Sequence, residues 1–119
     1  MIKHPIGIFI SGRGSNLNSI VNACAKQEFP AKIKVVFSNN KNASGLSFAK
    51  ENNLEAITLD YKNFKNTEEY EEKIISLLKP YDLELICLAG YMKILSKKLI
   101  DHYPNKIINI HPSLLPKYK

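Results

Sequence analysis

The stretch Ile6-Gly7-Ile8-Phe9-Ile10-Ser11-Gly12-Arg13-Gly14-Ser15-Asn16-Leu17 decides the fold. It opens with an apolar run of the kind that forms a buried strand, and two glycines follow almost at once. Glycine permits a tight turn, and apolar residues then recur at helical spacing from Leu17 to Cys24, which predicts a helix over residues 15–26. A strand, a glycine turn and a helix in this order begin an α/β protein.

The same alternation continues along the rest of the 119-residue chain. Further strands are predicted at residues 33–37, 56–59, 83–88 and 107–110, and further helices at 43–52, 67–78 and 95–102. Because strands that alternate with helices form right-handed βαβ units, we expect a mainly parallel sheet with helices on both faces. The chain stops soon after the fifth strand, where a doubly wound domain would continue. We therefore expect residues 1–119 to be one domain truncated at its C-terminus.

The composition narrows the class of protein. No run of about 18 apolar residues exists, so no transmembrane helix is predicted. Cys24 and Cys87 lack CxxC spacing, which favours reduced, structural thiols in a cytoplasmic protein without a secretory signal. Seventeen basic and eleven acidic residues give a net charge of +6, which suits nucleic acid or a phosphorylated small molecule. The lysines are scattered and not interleaved with aromatic residues, so no nucleic-acid partner is predicted.

The glycine turn after the first strand is a candidate anion site. Backbone N–H groups at a helix start, polar side chains and a nearby positive charge all favour a phosphate there. The residues concerned are Gly12, Arg13, Gly14, Ser15 and Asn16. The turn lacks the third glycine of a dinucleotide motif, because Leu17 stands in that place. The alternative is an ordinary strand-to-helix turn with Ser15 as the helix cap.

A second candidate segment, Ala89-Gly90-Tyr91-Met92-Lys93-Ile94-Leu95, follows the predicted fourth strand. In a parallel sheet it reaches the same edge as the glycine turn. Met92, Ile94 and Leu95 are apolar residues in a predicted surface loop, and such residues commonly line the pocket of a flat ligand. The alternative is that they start the fourth helix and pack into the core.

A third candidate pair, Asn109 and His111, lies at the end of the predicted fifth strand. Side chains two residues apart point to the same side of a strand, and Pro112 prevents the strand from continuing. An amide donor beside a group that transfers protons suits acyl transfer, in which a carbonyl oxygen becomes negative. The alternative is a strand end followed by a turn, with His111 as an ordinary half-buried histidine.

Residues 11–16, 89–95 and 109–116 together resemble the phosphoribosylglycinamide formyltransferase family, folate-dependent enzymes of purine synthesis. The resemblance covers essentially the whole chain and corresponds to the N-terminal part of that family's catalytic domain. The motif Asn-x-His-Pro-Ser-Leu-Leu-Pro is shared by the wider formyl-transfer group, which includes methionyl-tRNA formyltransferase. Ser-Gly-x-Gly-Ser-Asn is typical of the glycinamide ribonucleotide branch.

The resemblance implies a Rossmann-like formyltransferase fold and a role for each segment. Gly14, Ser15 and Asn16, with Gly12 and Arg13 beside them, would hold the phosphate of glycinamide ribonucleotide. The pocket for 10-formyltetrahydrofolate, the formyl-donating co-substrate, would be bordered by Met92, Lys93, Ile94, Leu95 and Asn109. Asn109 and His111 would be catalytic, and Pro112 would shape the substrate side. No metal, nucleic acid or membrane is implied.

The chain departs from the family pattern at three places. Lys93 stands where arginine is frequent, which keeps the charge and loses the bidentate fork. Thr67 stands where some members carry an arginine near the folate tail, and Lys65 is a candidate replacement. The family's catalytic aspartate is expected after Lys119. The chain as given is therefore expected to be inactive and to form homo-oligomers through its uncovered fifth strand.

Two other interpretations stay open from the sequence. One is a non-catalytic phosphate-binding fragment. The other is a different folate-dependent formyltransferase, such as one that acts on methionyl-tRNA, although the loop Ser11–Asn16 argues against it.

Overall fold

The computed structural model describes residues 2–12 and 15–110, and over these the strands and helices alternate without exception. Each predicted element is present, and its ends lie within about two residues of the prediction. The strands are β1 (His4–Ile10), β2 (Ala31–Ser38), β3 (Glu55–Thr58), β4 (Leu85–Leu88) and β5 (Ile107–Asn109). The helices are α1 (Ser15–Cys24), α2 (Ser44–Glu51), α3 (Thr67–Leu78) and α4 (Lys97–His102). Single 3-10 turns cover Tyr61–Asn63 and Lys79–Tyr81.

The five strands form one parallel sheet in the order β3-β2-β1-β4-β5. Phe9 is level with Leu88, and Leu88 is level with Asn109, so β1, β4 and β5 end side by side. The predicted α/β class and parallel sheet are confirmed. This register brings the segments that follow these strands to one edge, which we call the carboxyl edge.

The helices cover both faces of the sheet, as predicted. Side chains alternate along β1, so Ile8 faces α1 and α2 while Phe9 faces α3 and α4. The first face, here called the aliphatic face, is built from Ile6, Ile8, Ile10, Leu17, Ile20, Ile33, Val36, Leu46, alanines and Cys87. The second, the aromatic face, is built from Phe9, Val35, Phe37, Tyr70, Ile74, Leu78, Leu83, Ile86, Leu99 and Tyr103. Burying each large side chain contributes about 1.5–3 kcal/mol.

Helix α3 shows how local sequence sets a helix start. Asn66 takes an extended conformation, and its Oδ1 accepts a hydrogen bond from the N–H of Glu69 at 2.9 Å. Glu68 and Glu69 lie in the first turn, where negative charge is favoured. The predicted start at Thr67 is confirmed, and the capping residue is Asn66.

Strand β5 pairs with β4 and with no other strand in the described ranges. Ile107 packs against the aromatic face, whereas Ile108 is 42% exposed. The predicted exposure of this strand therefore applies to Ile108. Cys24 and Cys87 are free thiols, as predicted. Within residues 2–12 and 15–110, no helix has the length and apolar character needed to cross a membrane.

Candidate functional site

The carboxyl edge brings together all three segments that the sequence singled out. The Ala89 N–H donates to the Phe9 carbonyl at 2.8 Å, and the Ile110 N–H donates to the Leu88 carbonyl at 2.9 Å. These bonds extend the β1, β4 and β5 ladders by one residue each. The glycine turn, the 89–95 segment and Asn109 thus begin from adjacent strand ends, where parallel α/β sheets bind their ligands.

Strand β1 ends at Ile10 and helix α1 starts at Ser15, as the sequence predicted. Gly12 is exposed, and its carbonyl accepts a hydrogen bond from the Gly45 N–H in α2 at 3.2 Å. A Cβ atom at Gly12 would meet no atom within 4 Å, so packing does not require glycine there. Asn16 is half-buried in the first turn of α1. Arg13 and Gly14 lie outside the described residues.

Ser11 is the point where three strand ends are joined. Its Oγ donates to Asn39 Oδ1 at 2.6 Å and accepts from the Met92 backbone N–H at 2.8 Å. The Asn40 side-chain amide donates to the Ser11 carbonyl at 3.3 Å. Asn39 and Asn40 follow β2, and Met92 follows β4. The sequence motif included Ser11, but spacing rules do not reveal a partner 81 residues away.

The segment after β4 is a surface loop with exposed apolar side chains. Met92 is 82% exposed and Ile94 is 87% exposed, while Leu95 packs against the aromatic face. Helix α4 begins only at Lys97. The surface-loop interpretation is therefore right for Met92 and Ile94, and the core interpretation holds for Leu95. Two neighbouring, almost fully exposed apolar side chains make this loop a candidate binding surface.

Lys93 is held over aromatic rings between these two exposed residues. Its Nζ lies 3.3 Å from the centroid of the Tyr61 ring and 5.7 Å from that of Tyr70. Such a contact between a cation and an aromatic face is attractive. The Tyr61 hydroxyl in turn hydrogen-bonds with Thr67 Oγ1 at 2.9 Å. The ammonium group is thus fixed toward the start of α3 rather than directed freely into solvent.

A groove of about 600 Å³ runs along this segment. It is lined by Asn39, Tyr61, Thr67, Met92, Lys93, Ile94, Leu95 and Ser96. Thr67 thus lines the groove directly. Lys65, the candidate replacement, is exposed and does not line it.

Glu71 fixes the far end of the segment, and the sequence analysis did not identify it. Its carboxylate is buried, 2% exposed, and accepts three hydrogen bonds. The donors are the Ser96 N–H at 2.8 Å, the Ser96 hydroxyl at 2.5 Å and the Leu99 N–H at 2.9 Å. Glu71 in α3 therefore caps the N-terminus of α4. The sequence did contain one indication that Glu71 is buried: it lies three residues before Ile74, on the buried side of α3.

Two tyrosines form the floor below the segment. Tyr91 packs edge-on against Phe9, with ring centroids 5.2 Å apart. Burial, followed by the proximity of Tyr70 and Glu71, raises the pKa of Tyr91 far above its usual range. Burial and then the Asp60 carboxylate raise the pKa of Tyr70 to about 12. Both hydroxyls are therefore neutral near pH 7 and serve as packing and hydrogen-bonding groups.

Asn109 is the last residue of β5, is exposed, and pairs with Leu88. Its carboxamide belongs to the carboxyl edge, as the sequence predicted. His111 and Pro112 lie outside the described residues, so their roles stay predictions. In the part of the chain that the structure describes, no three histidine, cysteine, aspartate or glutamate side chains cluster in a way that could hold a metal ion.

The parallel sheet and its strand order define a Rossmann-like α/β fold with a candidate site at its carboxyl edge. The chain belongs to the formyl transferase family, whose model matches residues 5–119. Among curated proteins, it is 46% identical to the phosphoribosylglycinamide formyltransferase of Haemophilus influenzae over 113 residues and 40% identical to that of Escherichia coli. Each alignment covers 95% of this chain and 53% of the relative, so the chain spans about half the length of these proteins.

Solved structures lead to the same family. The phosphoribosylglycinamide formyltransferase of Brucella melitensis superposes with a TM-score of 0.90 at 40% identity, over 96% of this chain and 59% of that one. Glycinamide ribonucleotide transformylase 1 of Symbiobacterium toebii gives 0.87 at 35% identity, over 96% and 54%. The predicted resemblance to part of a phosphoribosylglycinamide formyltransferase, and its Rossmann-like fold, are confirmed.

Proposed function

We propose that the protein transfers a formyl group from 10-formyltetrahydrofolate to the amine of glycinamide ribonucleotide, with residues 1–119 as the N-terminal part of its catalytic domain. One observation carries the proposal. The start of the glycine turn and the exposed apolar segment are joined by the hydrogen bond between Ser11 Oγ and the Met92 N–H, on the edge where Asn109 ends β5. The names of the relatives, phosphoribosylglycinamide formyltransferases, support the same reaction.

The glycine turn supports binding of the ribonucleotide phosphate. Residues 12–16 lead from a strand end into the first turn of α1, and the unpaired N–H groups of a helix start favour an anion. Gly12 leaves open space around its Cα, so an oxygen can approach the backbone closely. The overall charge of +6 also favours a phosphorylated substrate.

The segment after β4 supports binding of a flat, partly apolar co-substrate. Met92 and Ile94 are exposed beside the groove, and covering them with an aromatic ring system removes apolar surface from water. Lys93 holds a positive charge next to them, close to Thr67, where the acidic tail of a folate would be attracted. In this proposal 10-formyltetrahydrofolate supplies the activated formyl group.

Asn109 and His111 carry the chemistry. The substrate amine forms a new bond to the formyl carbon, and the bond between that carbon and the folate nitrogen breaks. The formyl oxygen becomes negative during the attack, and the Asn109 carboxamide donates a hydrogen bond to it. His111 stabilises this charge as an imidazolium and gives its proton to the departing folate nitrogen, and the proton that the attacking amine loses returns to His111.

The test is an assay of the intact protein with 10-formyltetrahydrofolate and either glycinamide ribonucleotide or methionyl-tRNA. Mass spectrometry of the acceptor detects the added formyl group. We expect formylation of the ribonucleotide and none of the tRNA. Formylation of the tRNA alone would favour the other branch of the family, and binding of ribonucleotide without turnover would favour a phosphate-binding protein.

Replacing Asn109 tests the chemistry directly. In the intact protein, Asn109→Ala should lower kcat by roughly 10²–10³, because the developing negative charge loses a hydrogen-bond donor. The control is Asn22→Ala, an exposed asparagine on α1 away from the carboxyl edge, which should keep the wild-type kcat. A wild-type kcat for Asn109→Ala would remove this residue from the mechanism.

A further inference from the structure

We propose that Ser11 is a positioning residue that sets the distance between the two substrate sites. Through its hydroxyl it would hold the folate-binding segment in place against the phosphate-binding turn. The inference rests on the proposed function, because it assigns one substrate to each side of the Ser11 hydroxyl. It concerns a residue that has no part in the bond-making steps of the proposed function.

The hydroxyl of Ser11 is both a hydrogen-bond donor and a hydrogen-bond acceptor. It donates its proton to Asn39 Oδ1 at 2.6 Å and accepts the Met92 N–H at 2.8 Å, both good hydrogen-bond distances. The bond to Asn39 fixes the direction of the hydroxyl proton, which leaves an oxygen lone pair for Met92. The three residues follow different strands, so this single oxygen links the ends of β1, β2 and β4.

Met92 has no other fixed attachment among its described contacts. Its side chain is 82% exposed, so the segment is not held there by packing. Gly90, just before it, has a φ of 75°, a backbone conformation that favours glycine and turns the chain away from β4. The far end of the segment is held separately, where Glu71 binds Ser96. The near end is therefore held at Tyr91 by ring packing against Phe9 and at the Met92 backbone by the Ser11 hydroxyl.

The backbone of Ser11 and Gly12, at the start of the glycine turn, is also fixed by hydrogen bonds. Its carbonyl accepts from Asn40, and the carbonyl of the next residue, Gly12, accepts from the Gly45 N–H of α2. A displacement of the segment at Met92 thus changes its position relative to the turn rather than moving both together. Transfer between two bound substrates depends steeply on their separation, and a 1 Å error costs up to about 10²-fold in rate.

The experiment compares Ser11→Ala with Thr58→Val in the intact protein. Ser11→Ala removes the linking hydroxyl, whereas Thr58→Val removes a 2.9 Å side-chain hydrogen bond to the Ser38 carbonyl that joins only β3 and β2. For Ser11→Ala we expect kcat to fall about 10- to 100-fold with little change in either KM. Amide hydrogen exchange at Met92 should accelerate. Thr58→Val should keep the wild-type kcat and the wild-type exchange at Met92.

A second variant tests whether Ser11 acts through its bond to Asn39. Asn39→Ala removes the acceptor that orients the Ser11 proton, so its effect and that of Ser11→Ala should be non-additive in the double variant. A wild-type kcat for Ser11→Ala, or equal losses in Ser11→Ala and Thr58→Val, would overturn the role of Ser11 while leaving the proposed function intact. Absence of formyl transfer by the wild-type protein would instead overturn the proposed function, and this role with it.

Discussion

The two faces of the sheet are covered by different kinds of side chain. The aliphatic face is filled by isoleucine, leucine, valine and alanine side chains and supports α1 and the glycine turn. The aromatic face contains Phe9, Phe37, Tyr70 and Tyr103, and a buried carboxylate, Glu71, lies beside it. Apolar packing is non-directional, whereas hydrogen bonds and ring contacts fix orientation. The face with the directional contacts is the one that supports the 89–95 segment, in which Met92 and Ile94 are exposed.

The comparison explains how Met92 and Ile94 stay exposed in water. An apolar segment tends to collapse onto the nearest core, as Leu95 does. The bonds from Ser11 to Met92 and from Glu71 to Ser96 hold the segment at both ends, and the Tyr61 ring holds Lys93 in the middle. The exposed side chains of Met92 and Ile94 are thereby held away from the core by contacts on the aromatic face.

The largest effect is expected from Glu71→Ala. The substitution leaves the two N–H groups and the hydroxyl that cap α4 without their acceptor, so the free energy of unfolding should fall by about 3–5 kcal/mol. Chemical denaturation measures this change. Glu72→Ala is the matched control, since its exposed carboxylate only pairs with Lys98 at 2.8 Å and should matter little. Equal losses in the two variants would mean that the carboxylate of Glu71 is not a structural element of the aromatic face.

An intermediate loss in the free energy of unfolding is expected at alkaline pH. The pKa of Tyr70 rises from 10 to about 12 on folding, so the unfolded chain loses this proton first. The stabilisation is complete below pH 10 and is lost as the pH rises through 12, by about 2 kcal/mol. Denaturation curves between pH 9 and 12 measure the slope.

Tyr70→Phe supplies the control for this pH dependence. It should reduce the slope, to which the buried Tyr91 also contributes, while costing roughly 1 kcal/mol at pH 8, because the Tyr70 hydroxyl donates to the Leu59 carbonyl at 2.7 Å. On the aliphatic face, burial raises the pKa of Cys87 to about 11, so Cys87→Ala should reduce the slope at a lower pH. An unchanged slope in Tyr70→Phe would assign the alkaline sensitivity elsewhere.

The smallest effect is expected from Lys93→Met. This change keeps the aliphatic stem and removes the charge above the Tyr61 ring, so the free energy of unfolding should fall by about 0.5–1 kcal/mol. Thermal denaturation at low and high salt measures it. Lys97→Met, which breaks an exposed pair with Asp101 on α4, should leave stability close to wild type. A loss for Lys97→Met as large as that for Lys93→Met would show that the ring contact adds nothing beyond ordinary surface charge.

The order and type of the elements could be predicted from the sequence. Apolar runs such as Ile6–Ile10 and the helical spacing after Leu17 are local patterns, and local patterns depend on neighbours within a few residues. Parallel topology then placed the segments at 11–16, 89–95 and 109 on one edge, which the strand register bears out. The exposure of Met92 and Ile94, one of two open interpretations, is also confirmed.

Three features of the site could not be predicted from local patterns. The Ser11 contact with Met92 spans 81 residues, and the Glu71 contact with Ser96 spans 25. The position of Lys93 over Tyr61 depends on how α3 packs against the sheet.

The sequence by itself determined that this chain is a parallel α/β protein of the formyl transferase family, with a glycine turn, an apolar loop and Asn109 as its candidate site. Residue type and spacing suffice for the fold class, since period and turn chemistry are properties of short segments, whereas the family came from the resemblance of the three motif segments. Only the tertiary structure decided that Ser11 joins three strand ends and that a buried Glu71 caps another helix. Such contacts form between residues far apart in the chain, and their partners are chosen by the packing of the whole sheet.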